Sequence, residues 1–301
     1  MIDASQHPIE SKTLSKTIAL LNMKGGVAKT TLAVNLAHHC FDKGGSDVLL
    51  IDLDPQFNAS QYLMDYKKYE AHRNSGGTIA DLLIEVPRLS GATVDEKEFD
   101  DCVFRVKTKP GKKGKRFDLL PSELLLSHVV KNPHQMEHRL EKILAPIRDR
   151  YEYIFIDCAP TDSVLTTMTL TASDYLLIPV KPDKFSILGY ALLGQTVSQF
   201  RKNSSDPHKV SELGTVFTFV PSSLGINSIE QKCMNEIREL ADKDDAYVFD
   251  SALPVSQTFI TAVQNQTPAF DTKYARTELK DSITNIVLEM KRQIQVAEAG
   301  L

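Results

Sequence analysis

The sequence predicts an α/β fold built on a doubly wound, mostly parallel sheet. Five short, apolar, β-branched runs recur along the chain, and helical patterns lie between them. Apolar strands that alternate with helices are typical of parallel strands covered on both faces. Right-handed crossovers then bring the carboxyl ends of these strands to one edge of the sheet, where ligands bind. The predicted strands are residues 17–21, 48–51, 153–156, 175–180 and 216–220.

Length and composition are those of an ordinary globular chain. The 301 residues are 42% apolar and 25% charged, and the formal net charge is -4. These values exclude a disordered or collagen-like chain and a surface that is basic throughout, so any contact with nucleic acid must be local. The cysteines lie far apart without C-x-x-C spacing, which argues against a zinc site and indicates buried thiols in a reducing cytosol. Because no segment approaches roughly 18 apolar residues, we expect a cytoplasmic protein.

Residues 64–117 do not follow the alternation of apolar strands and helices. We interpret them as an insertion in a single domain that spans residues 1–301. Runs at 103–106 and 117–120 flank a Pro/Gly turn, which predicts a hairpin with the basic sequence KTKPGKKGKR at its tip. A last helix is predicted over 277–295. Its apolar stripe, which should pack on the sheet, consists of Ile283, Ile286, Val287, Met290 and Ile294.

A glycine-containing loop follows the first predicted strand. Residues 24–31 read KGGVAKTT and lead into the helical pattern LAVNLAHHC. A strand, loop and helix in this order aim backbone N–H groups and a helix N-terminus at an anionic phosphate. Lys29 would then contact the β- and γ-phosphates of a nucleotide, and the Thr30 hydroxyl would bind magnesium.

The loop KGGVAKTT resembles the deviant Walker A loop of the ParA/MinD group of P-loop ATPases, whose usual form is KGGxGKT. The resemblance implies a P-loop ATPase domain that binds ATP and Mg²⁺. It also implies that Lys24 crosses a dimer interface to touch the nucleotide of the other subunit, as an arginine-finger analogue. Ala28 replaces the family's glycine, and if this position needs a positive φ, the methyl group would cost about 1–2 kcal/mol. The implied nucleotide contacts are Lys24, Gly25, Gly26, Val27, Ala28, Lys29, Thr30 and Thr31.

Three aspartates that end predicted strands extend the resemblance. The sequence DLDPQFN resembles the family's DxDPQxN switch, which implies that Asp54 orients the attacking water and Asp52 supports the magnesium shell. Asp157 in IDCAP matches the family's IDxxP form and would bind a water of the magnesium sphere. Helix capping is the alternative role for Asp52 and Asp54. Relatives line the base at positions that correspond here to Val220, Pro221 and Pro254.

The resemblance covers residues 17–293 apart from most of 64–117, and it is closest to the small Soj-like ParA partition ATPases. It implies an ATP-sandwich homodimer that binds double-stranded DNA non-specifically and associates with the nucleoid. Hydrolysis, slow by itself and stimulated by a ParB-like partner, would reset the dimer during segregation of plasmid or chromosomal DNA.

The position of the DNA surface stays open. Small relatives carry basic residues in a segment that corresponds here to 253–266, which has none. A basic hairpin could neutralise several phosphates, but a solvated turn balanced by the neighbouring acidic run is an equal alternative. The candidates are Lys107, Lys109, Lys112, Lys113, Lys115 and Arg116 in the hairpin, and Lys273, Arg276 and Lys280 at the last helix.

Other functions compete with DNA segregation. A ParA-like nucleotide switch that positions or regulates a protein cargo is favoured by the lack of basic residues after Pro254. An iron–sulfur ATPase would need paired bridging cysteines, which the spacing does not support. The chain end QIQVAEAGL has no basic or aromatic residue, so we expect no membrane tail of the MinD kind.

Overall fold

The computed structural model describes residues 15–84, 98–110, 114–204, 206, 210–221, 225–273 and 275–300. Eight strands form one sheet in the spatial order β3-β4-β2-β5-β1-β6-β7-β8. Every neighbouring pair is parallel except β3 and β4, which form an antiparallel hairpin. The strands are β1 Lys16–Leu20, β2 Val48–Leu53, β3 Phe104–Lys109, β4 Lys115–Leu120, β5 Tyr153–Cys158, β6 Tyr175–Val180, β7 Ser211–Val220 and β8 Leu253–Pro254. The predicted α/β fold with a doubly wound sheet is confirmed.

Helices cover both faces of this sheet. They are α1 Lys29–Asp42, α2 Asn58–Leu63, α3 Tyr66–Ser75, α4 Ile79–Leu83, α5 Phe99–Cys102, α6 Ser127–Lys131, α7 Arg139–Leu144, α8 Val164–Ala172, α9 Lys184–Asn203, α10 Ser228–Lys243, α11 Thr258–Gln264 and α12 Thr277–Ala299. Short 3₁₀ turns occupy Leu124–Leu126, Arg148–Arg150 and Ala269–Asp271. No helix in these described ranges has the length and apolar character needed to cross a bilayer.

The core lies in two layers, one on each side of the sheet. Alternate residues along β1 and just after it face opposite layers. Ile18 and Leu20 contact the α1 and α12 side, whereas Ala19 and Leu21, the residue that follows the strand, contact the α8 and α9 side. Burial on both faces explains why the strands are continuous apolar runs. The apolar stripe predicted for the last helix is buried on the α1 side, and α12 extends beyond the predicted end to Ala299.

The register of the parallel strands assembles the candidate site. Leu20 at the end of β1 pairs with Asp157 of β5, and Asp157 pairs on its other side with Asp52 of β2. The loop that starts after β1 and both aspartates therefore meet at the carboxyl edge of the sheet, as expected for a ligand site in this fold.

The predicted hairpin is present, with longer strands than predicted. β4 also pairs in parallel with β2, so Lys115 at its start lies at the amino edge of the sheet, opposite the edge that carries Asp52 and Asp157. Lys112 and Lys113, predicted for the tip of the hairpin, lie outside the described residues. The boundaries predicted for the insertion remain a prediction, and residue 117, its expected end, lies within β4.

Candidate nucleotide-binding site

The loop between β1 and α1 bends through two left-handed residues. Gly26 has φ 74° and Ala28, which precedes the first turn of α1, has φ 64° and ψ 26°. The Ala28 carbonyl accepts a hydrogen bond from the N–H of Leu32 at 2.9 Å and so starts the helix. No side chain of the described residues caps this end, which leaves its first N–H groups directed toward a phosphate position. Ala28 therefore has the positive φ on which its predicted energetic cost depends.

We expect Ala28→Gly to change the free energy of unfolding by less than about 1 kcal/mol. Relief of the left-handed backbone, worth about 1–2 kcal/mol, offsets loss of a buried methyl group, about 0.8 kcal/mol, and the added flexibility of the unfolded chain, about 0.5–1 kcal/mol. The matched control is Ala33→Gly, a buried position inside α1. It should lose about 2 kcal/mol in urea unfolding, because helix propensity and burial are both reduced there. Equal losses at the two positions would contradict the left-handed strain.

Lys29 is a buried cation inside this loop. Its side chain is 7% exposed, and its Nζ donates to the carbonyl oxygens of Asn22 at 3.3 Å and of Lys24 at 3.2 Å. Burial lowers the pKa of Lys29 below its ordinary value, and the charge of Asp157 opposes that shift. The ammonium group therefore lies at the loop beside carbonyl dipoles and the nearby acids Asp157 and Asp54, a position that an anionic phosphate would also stabilise.

Thr30 and Asp157 form the part of the site that suits a magnesium ion. The Thr30 hydroxyl donates to Asp157 Oδ2 at 2.6 Å, and Asp157 Oδ1 is buried without a hydrogen-bond partner among the described residues. Burial raises the pKa of Asp157 to about 7, although the Thr30 hydrogen bond and the charge of Lys29 both act to lower it. A hydrated Mg²⁺ needs only one or two carboxylates besides the phosphates, and a hydroxyl beside a carboxylate with an unused oxygen fits that requirement.

Both carboxylate oxygens of Asp52 accept hydrogen bonds from within the chain. Its Oδ1 accepts from the N–H of Asp54 at 3.2 Å, and its Oδ2 accepts from the N–H and the hydroxyl of Ser60 at 2.8 and 2.7 Å. The pKa of Asp52 is raised to about 8, mainly by burial and secondly by the neighbouring charge of Asp157. Because Ser60 lies in the first turn of α2, these contacts favour the capping role for Asp52 over a place in the magnesium shell.

Asp54 lies in the turn that follows β2. Its side chain is 8% exposed, and Oδ1 accepts from the N–H of Gln56 at 2.9 Å. The charge of Asp54 acts on both Lys29 and Asp157, so it lies near them electrostatically. The turn thus holds one carboxylate at the edge of the site, where a water-orienting group is expected.

Lys24 turns toward α9 rather than toward its own loop. Its Nζ forms an ion pair with Asp183, lies 3.3 Å from the Ser186 hydroxyl and 5.7 Å from the centre of the Phe185 ring. Sequence reasoning missed this contact, because Asp183 lies 159 positions away along the chain.

The residues predicted to line the base meet at the ends of β7 and β8. Val220 pairs in register with Pro254, and Pro221 follows β7 directly. Thr218 of β7, another residue that sequence reasoning missed, donates its hydroxyl to the carbonyl oxygen of Val27 in the phosphate loop at 2.9 Å. This bond fixes the predicted base-lining strand to the loop.

The predicted DNA-binding cations of the hairpin that the structure describes are compensated within the chain. Four of them form ion pairs, which are Lys107–Asp271, Lys109–Asp42, Lys115–Asp47 and Arg116–Asp118. At the last helix, Lys280 lies over the ring of Phe270 with 5.7 Å between Nζ and the ring centre, and Arg276 immediately precedes α12. Lys273 precedes it by three further positions. The ion pairs support the interpretation of the hairpin as a balanced surface, and DNA contact by any of these residues remains a prediction.

Comparisons with known proteins identify the family of the chain. A family described as "AAA domain" matches residues 15–210. An uncharacterised protein of Methanocaldococcus jannaschii is 34% identical over 226 residues, which cover 74% of this chain and 79% of that protein. The sporulation initiation inhibitor protein Soj of Bacillus subtilis is 29% identical over 218 residues, 72% of this chain and 79% of Soj.

Two solved structures share the fold. The Cyanothece McdA–ATP complex has a TM-score of 0.74 at 20% identity and covers 93% of this chain and 97% of its own. A putative plasmid partition protein from Borrelia burgdorferi bound to AMPPNP has a TM-score of 0.68 at 22% identity and covers 93% and 99%. The family match spans most of the chain, and the relatives confirm the resemblance seen in the phosphate loop. The chain therefore belongs to the AAA domain family and is a ParA-type P-loop ATPase.

Proposed function

We propose that this chain binds ATP and Mg²⁺, closes into an ATP-sandwich homodimer that binds double-stranded DNA non-specifically, and is reset by hydrolysis. A ParB-like partner would stimulate the hydrolysis, and the cycle would segregate plasmid or chromosomal DNA. One observation carries the nucleotide part of the proposal. The buried Lys29 ammonium, the Thr30 hydroxyl and Asp157 Oδ1 converge beside the N-terminus of α1, and no side chain in the described part of the chain caps this helix end or bonds to that oxygen.

The local environment of each of these groups is consistent with a specific role in ATP binding or hydrolysis. Lys29 would neutralise the β- and γ-phosphates, and Thr30 and Asp157 would hold the hydrated ion, which supplies charge neutralisation at the phosphates. Asp54 would orient the attacking water from the turn after β2. Lys24, supplied by the second subunit, would add positive charge at the transferred phosphoryl group.

A cargo other than DNA is the alternative, and two observations favour it. The hairpin cations among the described residues are paired with acids, and the segment in which small relatives carry basic residues exposes apolar side chains instead. Val255, Ile260 and Val263 are the exposed apolar residues of this segment. A surface of this kind suits a protein partner better than a phosphate backbone.

Retention on immobilised non-specific DNA separates the two functions. With ATP and Mg²⁺ we expect retention that falls steeply with salt, and with ADP we expect none, because only the dimer presents two contact surfaces at once. An ATP-dependent dimer that is not retained would support the protein-cargo alternative. A chain that neither dimerises nor binds DNA with ATP would contradict both.

Charge reversal then tests the hairpin within the same assay. Replacing Lys112, Lys113 and Lys115 with Glu should weaken retention and flatten its salt slope by about 0.9 for each DNA phosphate that the variant no longer neutralises. Lys232→Glu, an exposed lysine of α10, is the matched control and should leave both unchanged. Retention unaffected by the triple reversal would reject the hairpin as the DNA-binding surface.

A further inference from the structure

The first turn of α9 forms a cradle for the ammonium group of Lys24. Asp183 supplies the negative charge, Ser186 offers its hydroxyl at 3.3 Å, and the face of Phe185 lies 5.7 Å away. These three groups supply a charge, a dipole and a π-face, the kinds of partner that an ammonium group binds. Lys24 is therefore held by its own subunit, although the resemblance predicts that it acts in the other one.

Asp183 performs two tasks with the same oxygen atom. It precedes α9, and its Oδ1 accepts from the N–H groups of Phe185 and Ser186, each at 3.1 Å, as well as from Lys24. Burial alone would raise the pKa of Asp183, but the hydrogen bond and charge of Lys24 hold it below its ordinary value. The carboxylate is thus ionised and anchored to the helix, so the cradle exists before any nucleotide binds.

The backbone of Lys24 is fixed independently of its side chain. Its N–H donates to Asn22 Oδ1 at 2.9 Å, and Asn22 Nδ2 donates in turn to the carbonyl oxygen of Pro179 at 2.8 Å. The loop also packs closely against α9 at Gly189, where an added Cβ would lie 3.4 Å from the Cβ of Lys24. Release of Lys24 therefore requires rotation of one side chain and no rearrangement of the loop.

The cradle lies at the edge of an uncovered apolar stripe. Phe185, Leu188 and Leu192 are 79%, 65% and 45% exposed, and their spacing places them on one face of α9. Phe185 belongs to both the stripe and the cradle. A surface that covers this stripe would therefore also contact the ring that lies beside Lys24.

We propose that Asp183 is a positioning residue that holds Lys24 within its own subunit, and that dimerisation around ATP must first break this ion pair. The inference rests on the proposed sandwich dimer. Lys24 exchanges a carboxylate of its own chain for the phosphates of the nucleotide in the second subunit. The Lys24–Asp183 ion pair thus disfavours the dimer when no sufficiently charged ligand is bound. Because each subunit contributes one Lys24, two ion pairs must break for each dimer that forms.

The test is the concentration dependence of dimerisation with AMPPNP and Mg²⁺, measured by sedimentation velocity. Asp183→Asn removes the charge but keeps a strong N-cap residue, so α9 should still begin at Lys184. A partly exposed ion pair is worth a factor of about two to five, so two releases should lower the dimer Kd by about four- to twenty-fivefold. Asp183→Ser also places a neutral capping residue before α9 and should likewise lower the dimer Kd. It replaces the Asn variant if that variant does not fold.

Asp65→Asn is the matched control, because Asp65 also precedes a helix and also pairs with a lysine. It accepts from the N–H of Lys68 at 2.9 Å, and its Oδ2 lies 3.2 Å from Lys68 Nζ, in α3. This variant should leave the dimer Kd unchanged. Thermal unfolding of the nucleotide-free chain provides a second readout, since a merely structural Asp183 would lower the unfolding temperature without tightening the dimer.

The outcomes separate this inference from the function on which it rests. Wild-type protein that stays monomeric with AMPPNP and Mg²⁺ contradicts the sandwich dimer itself. A wild-type dimer with an unchanged Kd in both Asp183 variants overturns the cradle. A weaker dimer in those variants also overturns it, because Asp183 would then be a contact of the assembled dimer.

Discussion

Lys29→Ala is expected to lower the affinity for ATP by at least about thirtyfold. The Lys29 ammonium is buried and held by carbonyl oxygens of Asn22 and Lys24, so it is already fixed where the phosphates are expected. Removing one partner of a buried, hydrogen-bonded charge pair costs about 2–5 kcal/mol. Isothermal titration with ATP and Mg²⁺ measures the loss directly.

Two further variants show whether charge or packing is responsible. Lys29→Met keeps the buried aliphatic stem and should lose ATP as completely as alanine does. Lys16→Ala removes a lysine from the opposite end of β1, where it pairs with Glu298, and should bind ATP normally. Binding by Lys29→Met within tenfold of wild type would contradict the assignment of Lys29 to the phosphates.

The same variants should change how stability depends on pH. The folded chain raises the pKa of Asp157 to about 7, so it holds a proton that the unfolded chain has released, and stability falls as pH rises through that value. Lys29 acts to lower this pKa, so Lys29→Met should raise it further. Urea unfolding without nucleotide should therefore weaken more steeply between pH 7 and 8 in Lys29→Met than in wild type. An identical slope would show that Lys29 does not compensate Asp157.

The sequence is sufficient to predict the parts of the site that follow from strand ends. A parallel sheet places the carboxyl ends of its strands together, and the register of β1, β5 and β2 sets Leu20, Asp157 and Asp52 side by side. The loop, the Thr30 hydroxyl and the two acids could therefore be placed at one edge from pattern alone.

Two partners of these residues could not be predicted, because a strand pattern does not show which side chains the fold brings together. Asp183 reaches Lys24 across 159 positions, and Ser60 donates to Asp52 from the first turn of α2. The charge compensation of the hairpin was also not predictable from nearby sequence. Along the chain a neighbouring acidic run balances the basic run, but the acids that pair with it in the fold include Asp42 at the end of α1 and Asp271 in a 3₁₀ turn. Counting charges in a local stretch of sequence omits the carboxylates that tertiary packing brings to it from other elements.

Asp54→Ala is expected to keep ATP and to trap the dimer, with hydrolysis reduced by about 10²- to 10⁴-fold. Asp54 follows β2 in a tight turn, with its carboxylate bonded to the N–H of Gln56 and close enough to act on Lys29 and Asp157. It contributes no ligand to the Thr30–Asp157 pair, so nucleotide affinity should be retained. Without a group that orients the attacking water, the ATP-bound dimer has no rapid route back to monomer.

Asp54→Asn separates water activation from the shape of the turn. The amide oxygen can still accept from the N–H of Gln56, but an amide is a far weaker proton acceptor than a carboxylate. Both variants should therefore elute as dimers in saturating ATP and Mg²⁺ and as monomers in ADP, while single-turnover assays show the loss of hydrolysis. Full hydrolysis by the Asn variant would reduce Asp54 to a turn residue. A monomeric Asp54→Ala protein that binds ATP normally would count against the sandwich dimer, because the state that hydrolysis normally ends would then not accumulate.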